Sequence, residues 1–340
     1  MKAALLAEYH RPLELVDRPE PEPRASRDVV VKIGGAGVCA TDLHAIDGLM
    51  EPAGLRPPVV LGHENAGWVH AVGDGVTAAA VGDAVLVYPA YSCGLCVPCR
   101  RGQDVFCERH EFTGLTCDGG FADYVLVDER SIVPLPEGVE PAEVAPHADA
   151  GITAYHAVKK LVPRLHPGST VAVIGIGGVG HVGLQLVRVL GAARVVAIDT
   201  DERRRRLARE LGADEVLGEE ADVASAAREL TNGAGVDVVL DFVGTDETHA
   251  SALGMLARQG LYSIVGFGGT VSHPSVGFVA GETAVTGNLV GNWIDLWEVL
   301  QLHGRGDVTL RSETYPLAEV NDVLDRLREG EVTGRAVLVP

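Results

Sequence analysis

The segment Gly175-Ile176-Gly177-Gly178-Val179-Gly180 limits the possible folds of this chain more than any other. It follows an apolar run, Thr170-Val171-Ala172-Val173-Ile174, and precedes a stretch of helical period, Val182 to Leu190. A second apolar run, Arg194 to Ile198, leads into Asp199, nineteen residues past Gly180. A strand, a glycine turn, a helix and a second strand ending in an acid make up a dinucleotide-binding fingerprint. Gly175 makes the tight turn, Gly177 lets backbone approach a pyrophosphate, and Gly180 permits close packing of helix on strand. Gly178 and Val179 bring the chain into the helix, whose N-terminus faces the phosphates. Asp199 accepts hydrogen bonds from the adenosine ribose and repels a 2′-phosphate, which favours NAD over NADP. A purely structural glycine turn is the alternative. Arginines 203–206 lie close enough to soften the exclusion of NADP, although a solvated helix face suits them better.

Further strands near 236–241 and 261–265 continue the alternation with helices and predict a parallel, doubly wound sheet. Residues 293–302 and 317–327 read as amphipathic helices, and 335–339 as a last strand. The first third differs. Strand-like runs such as Val29 to Ile33 and Tyr124 to Val127 are broken at short intervals by Gly and Pro, as in a small β-barrel with long loops. A length of 340 residues suits two domains. No window of eighteen apolar residues predicts a membrane span, and the apolar start at Met1 meets Glu8 too soon for a signal peptide. The expectation is a cytoplasmic protein. A formal net charge of −19 makes nucleic acid and anionic membranes poor partners. Lysine occurs only at 2, 32, 159 and 160, which fits salt adaptation or GC-rich codon usage equally and carries no function.

Four of the six cysteines, Cys93, Cys96, Cys99 and Cys107, fall within fifteen residues. In a reducing compartment that spacing reads as metal binding. Four thiolates close a tetrahedral site, so the ion would be structural zinc. Two interleaved disulfides and an iron–sulfur cluster are the alternatives. Cys117 reads as a free, unreactive thiol. A second constellation is dispersed: Cys39-Ala40-Thr41-Asp42-Leu43-His44, then Gly62-His63-Glu64-Asn65-Ala66-Gly67. Cys39 and His63 are good zinc ligands, but these two alone do not define a site.

The stretch from Gly62 through Gly67 and Gly73 to Val76 resembles the signature of the zinc-containing medium-chain alcohol dehydrogenases. The order of Cys-x-Thr-Asp-x-His, Gly-His-Glu, four-cysteine lobe and dinucleotide fold is similar to that family over essentially the whole chain. The resemblance implies an α/β protein with a GroES-like β-barrel catalytic domain over 1–147 and 288–340. That domain would carry a structural zinc lobe at 90–110, and a Rossmann dinucleotide-binding domain would span 148–287. It also implies a catalytic zinc held by Cys39 and His63. Many relatives take the third ligand from a cysteine just before the cofactor domain; His147 to Tyr155 holds none here, and Asp149 stands at the matching place. Glu64 is the rival ligand.

An open zinc position makes an alcohol hydroxyl acidic. By resemblance, Thr41 takes that proton, a cofactor ribose relays it, and His44 releases it; a plain surface histidine is the alternative for His44. Asp42 would orient His63 through its second ring nitrogen. Arg335 matches a cofactor-phosphate arginine, with a surface charge as the alternative. Trp293, Tyr91, Leu49 and Ile46 are candidates for the substrate pocket or for ordinary core. The cofactors implied are two zinc ions per chain and NAD. The substrate implied is a small alcohol/carbonyl pair, secondary alcohols slightly favoured, and the assembly a homotetramer or homodimer. Polyol, sugar or amino-alcohol oxidation is the alternative, against which Asn65 argues. A non-catalytic NAD-binding zinc protein is a distant third, because it predicts loss of the reactive-zinc residues.

Overall fold

The computed structural model describes residues 1–109, 111–218 and 222–340. His110, the last residue of the expected zinc lobe, lies outside them. The chain divides into two compact units, one of Met1–Ile152, Asn292–Arg305 and Leu310–Pro340, the other of Thr153–Gly291 and Gly306–Thr309. Asp149 belongs to the first unit, whereas the sequence puts the boundary before it. Next to it, the Ala150 N–H donates to the Glu64 carboxylate of the same unit, at 3.1 Å.

Eight strands come from the N-terminal part: β1 (Lys2–Leu6), β2 (Glu14–Asp17), β3 (Asp28–Val38), β4 (Val59–Val60), β5 (Glu64–Val72), β6 (Ala84–Val87), β7 (Tyr124–Asp128) and β8 (Ile132–Pro134). The second unit supplies β9 (Thr170–Ile174), β10 (Arg194–Ile198), β11 (Glu215–Leu217), β12 (Val236–Asp241), β13 (Leu256–Ile264) and β14 (Ala284–Gly287). The chain then returns to the first unit with β15 (Ser312–Pro316) and β16 (Arg335–Val339).

In the first unit β3 is the axis. It pairs with β5 along most of its length, with β7 at its start and with β16 at its end, in the order β15-β16-β3-β5-β6-β8. Register shifts between β3 and β5 at Val30/Val31 and Ile33/Gly35 bend the pair, as bulges do in curved sheets. The enclosed core includes Leu6, Val31, Leu61, Phe121 and Leu338. Ile46, a pocket candidate from sequence, is part of this core, and Leu49 points outward at 63% exposure. Tyr91 packs on the cysteine lobe. Trp293 starts a helix, Trp293–Gly304, with its indole N–H on the Ile132 carbonyl.

The second unit is a six-stranded, wholly parallel sheet, β11-β10-β9-β12-β13-β14. Its central strand β9 is buried at every residue, as expected of a strand covered on both faces. The chain runs outward from β9 through β10 to β11, then returns to β12 on the other side. The end of β9 is therefore the point of reversal where such sheets bind ligands. Two sequence readings shift. The strand expected at 261–265 starts earlier, at Leu256, and 317–327 divides into a 3-10 turn, Leu317–Glu319, and a helix, Val320–Arg328.

Candidate active site and metal centres

Cys39 caps the helix Ala40–Ile46, and the Asp42 carboxylate, one turn in, accepts from the Cys39 N–H at 2.8 Å. That bond satisfies one orphan donor of the helix start. His63 lies between β4 and β5. The turn needs Gly62, whose φ of +97° is in the left-handed region. The Gly62 carbonyl is clamped by Asn65 Nδ2 and the Gly120 N–H, each at 2.9 Å. Asp149 follows the 3-10 turn Ala145–Ala148.

These three side chains converge. Asp149 Oδ2 is 3.4 Å from Cys39 Sγ and 3.6 Å from His63 Nε2, and all three donor atoms lie within 4.8 Å of one another. A zinc ion with bonds of about 2.0–2.3 Å at tetrahedral angles would separate such ligands by about 3.5 Å. The electrostatics agree. His63 is fully buried, which opposes charging, yet Asp42 and Asp149 outweigh burial and hold its protonated form well above the usual histidine range. Asp149 shows the complement: burial pushes it up, but His63 and Arg335 bring it down to about 2. The cluster is built to hold positive charge. Asp42 Oδ1 stands 3.3 Å from His63 Nδ1, the nitrogen turned away from Asp149.

Thr41 Oγ1 lies 3.6 Å from Cys39 Sγ. His44 is one turn further along the same helix and partly buried, and burial lowers its pKa. Glu64 is completely buried and paired with the Arg335 guanidinium, so its carboxylate lies outside the three-ligand cluster. Burial raises the Glu64 pKa while Arg335 opposes it. Arg335 is only 5% exposed and is no surface charge; its Nε has no partner among the described residues. Sequence reasoning missed Gly37. A Cβ there would lie 1.9 Å from Glu64 Oε2, so only glycine leaves room for the carboxylate. The signal was the small-residue run Gly34-Gly35-Ala36-Gly37 inside a strand.

In the lobe, the four sulfurs of Cys93, Cys96, Cys99 and Cys107 lie within 4.8 Å of one another. Cys96 and Cys99 Sγ are 3.3 Å apart and Cys96 and Cys107 Sγ 4.0 Å, bracketing the edge of about 3.8 Å for thiolates around zinc. All six cysteines are free, which removes the disulfide alternative. The N–H groups of Leu95 and Cys96 point at Cys93 Sγ, and that of Arg109 at Cys107 Sγ, as suits thiolates. Cys117 lies elsewhere, its thiol pushed up to about 11 by burial.

At the end of β9, Gly175 has φ +83°, and a Cβ on Gly180 would lie 1.7 Å from the Gly175 carbonyl oxygen. A Cβ on Gly177 would meet nothing within 4 Å, so the backbone there is open to a phosphate. Gly178 and Val179 complete the turn, and Val179 caps the helix Gly180–Leu190. Asp199 Oδ2 accepts from the Ile176 N–H at 2.7 Å and Oδ1 from the Asp201 N–H at 2.9 Å, each oxygen keeping a lone pair. The solvated face expected for arginines 203–206 fails at Arg205. It is buried and donates to the Asp199 and Thr200 carbonyls, closing the strand end.

Residues 25–137 match the alcohol dehydrogenase GroES-like domain, and residues 178–304 the zinc-binding dehydrogenase domain. An NAD-dependent alcohol dehydrogenase of Sulfurisphaera tokodaii is 35% identical over all of both chains. The chain belongs to the zinc-dependent medium-chain alcohol dehydrogenase family. As a member it is a zinc-dependent oxidoreductase. Its fold is similar, at a TM-score of 0.97 and 44% identity over 100% of both chains, to an alcohol dehydrogenase from the archaeon Aeropyrum pernix. Another family member, the D-arabinose 1-dehydrogenase (NADP(+)) of Saccharolobus solfataricus, is 36% identical over 100% of this chain and 97% of its own. The four-sulfur lobe fits zinc, in keeping with this family.

Proposed function

We propose that the chain is an NAD-linked alcohol dehydrogenase interconverting small alcohols with their ketones or aldehydes, secondary alcohols slightly favoured. The observation that carries this reading is the convergence of Cys39, His63 and Asp149, three donors with tetrahedral spacing beside a threonine hydroxyl. Asp149 is taken as the third ligand over Glu64, because Glu64 is already engaged by Arg335 and the Ala150 N–H. When bound, zinc supplies a Lewis acid that makes an alcohol hydroxyl acidic near neutral pH. The chain's residues do the rest. Cys39, His63 and Asp149 hold the metal, and Asp42 steadies His63. Thr41 takes the hydroxyl proton as it passes on its own, and His44, one turn further along the helix, is the residue from which the relayed proton reaches solvent. NAD, when bound, would supply the hydride acceptor, so that oxidation of the alcohol to its carbonyl compound would balance with NADH and one proton released to water.

The fingerprint Gly175, Gly177, Gly178, Val179 and Gly180 cradles the pyrophosphate, and Asp199 selects NAD. Sugar or polyol oxidation is the second reading, favoured by the arabinose dehydrogenase relative. The four-cysteine lobe suits a reducing cytoplasm, and a homo-oligomer is supported by β14, a sheet-edge strand flanked by exposed Val279 and Leu289. The test is initial rates with NAD and with NADP on matched primary alcohols, secondary alcohols and polyols, with and without a zinc chelator. Chelator-sensitive, NAD-linked turnover favouring secondary alcohols is expected. Turnover confined to polyols or sugars would replace the first reading with the second.

A further inference from the structure

The helix that carries Thr41 and His44 ends on an acid. Asp47 is its C-cap residue, where a carboxylate faces the negative end of the helix dipole and is disfavoured. The structure compensates with a long-range partner. Arg328, the last residue of the helix Val320–Arg328, donates from Nη1 and Nη2 to the two Asp47 oxygens at 2.8 and 2.9 Å. Such a two-pronged bond fixes both side-chain planes. His44 precedes Asp47 by three residues, so the two side chains are neighbours on one face of the helix.

Among the described residues, other charged groups lie close by. His10 enters from the N-terminal loop, its backbone N–H on the Ile46 carbonyl at 2.7 Å. Asp325 lies behind Arg328. Asp42 is turned inward to the Cys39 N–H, and Glu51 faces Arg56. Arg328, then His10 and His44, hold the Asp47 carboxyl below its ordinary range. For His44, burial dominates and lowers its affinity for a proton, Asp47 opposes that, and Arg328 reinforces it.

We propose that Asp47 and Arg328 are positioning residues for proton release, setting through their ion pair how readily His44 takes up and gives up the proton. This rests on the reading of His44 as the proton acceptor. Asp47 favours the imidazolium that forms when His44 takes the proton. Arg328 caps that stabilisation, so the imidazolium passes the proton to water and returns neutral. One proton enters and one leaves, with no change of oxidation state.

The two charges act on His44 with opposite sign, and that separates this role from simple fastening of two helices. Asp47→Asn leaves the Arg328 cation alone and lowers the His44 pKa. Arg328→Gln leaves the Asp47 carboxylate alone and raises it. Each shift is about half a pH unit at this half-exposed pair, and the double variant lies close to the parent. The test uses the zinc-loaded full-length protein with histidine carbon-13 labelled at Cε1, His44 being assigned by the signal lost in His44→Gln. Imidazole titrations are paired with the pH dependence of kcat/KM for NAD-linked oxidation of propan-2-ol.

Opposite displacements of the His44 titration, followed by the acidic limb of kcat/KM, are expected: up in Arg328→Gln, down in Asp47→Asn. Unmoved or same-direction titrations would overturn the proposal, as would displaced titrations with a fixed limb where His44→Gln does move it. A limb that His44→Gln itself leaves in place would instead overturn the acceptor role of His44.

Discussion

Replacing Gly37 by alanine tests how the metal site is built, because it reverses the sign of an ordinary substitution. Gly37 lies inside β3 without a positive φ, and alanine at such a position normally gains about 0.5–1 kcal/mol. Here the new methyl would lie 1.9 Å from Glu64 Oε2 and 2.9 Å from Glu64 Cβ and Cδ. The carboxylate must retreat by about 1.5 Å to reach ordinary contact, and overpacking on that scale costs about 1–3 kcal/mol. The other Glu64 oxygen, Oε1, is held in place. Glu64 is completely buried, gripped by Arg335, and bound to the Ala150 N–H, whose residue follows the ligand Asp149.

Gly37→Ala is therefore expected to melt lower by about 1–2 °C per kcal/mol lost. It should also lower kcat/KM by about tenfold or more through the displaced Asp149. Thermal melting of the zinc-loaded protein, metal content and initial rates measure this. The decisive control is the Glu64→Ala background, where the added methyl should become neutral or stabilising. Gly37→Ala that melts at or above the parent temperature with Glu64 present would refute the reasoning. So would an equal loss with Glu64 absent.

Three further outcomes follow from the same geometry. Cys107→Ser should lose the lobe zinc and no other, since its sulfur accepts from the Cys93 N–H at 3.3 Å and shares the four-thiol cluster; loss of both zincs would show the sites are coupled. The lobe should hold zinc less tightly as pH falls. Burial and the adjacent Cys96 sulfur push the Cys99 thiol up to about 12, so metal binding must expel its proton, and acid favours the thiol. Zinc release to a chromogenic chelator should be faster at pH 5.5 than at pH 8, and equal rates would contradict it. Asp199→Gly should move the ratio of kcat/KM for NAD over that for NADP toward NADP by about tenfold or more; an unmoved ratio would remove Asp199 from ribose recognition.

What was legible in the sequence depended on whether the physics was local. The strand–glycine–helix–strand–Asp199 unit is contiguous, so spacing alone gave β9, β10 and the roles of Gly175 and Gly180. The four-cysteine lobe is equally compact. The reactive cluster is not: Asp149 reaches Cys39 across 110 residues, and only a family likeness joined them. Arg335 and Glu64, 271 residues apart, read separately as a phosphate ligand and a rival metal ligand, and their pairing depends on β16 lying beside β3. Arg205 was misread because helix periodicity does not reveal that carbonyls at the end of β10 lie within its reach.

The central claim is that Asp149, with Cys39 and His63, holds the zinc at which alcohol reacts. The most direct measurement is the zinc content of purified Asp149→Ala, together with its circular dichroism and its NAD-linked rate. One zinc per chain instead of two, an unchanged fold and nearly complete loss of activity are predicted. Two zincs retained in a folded variant would contradict the ligand assignment.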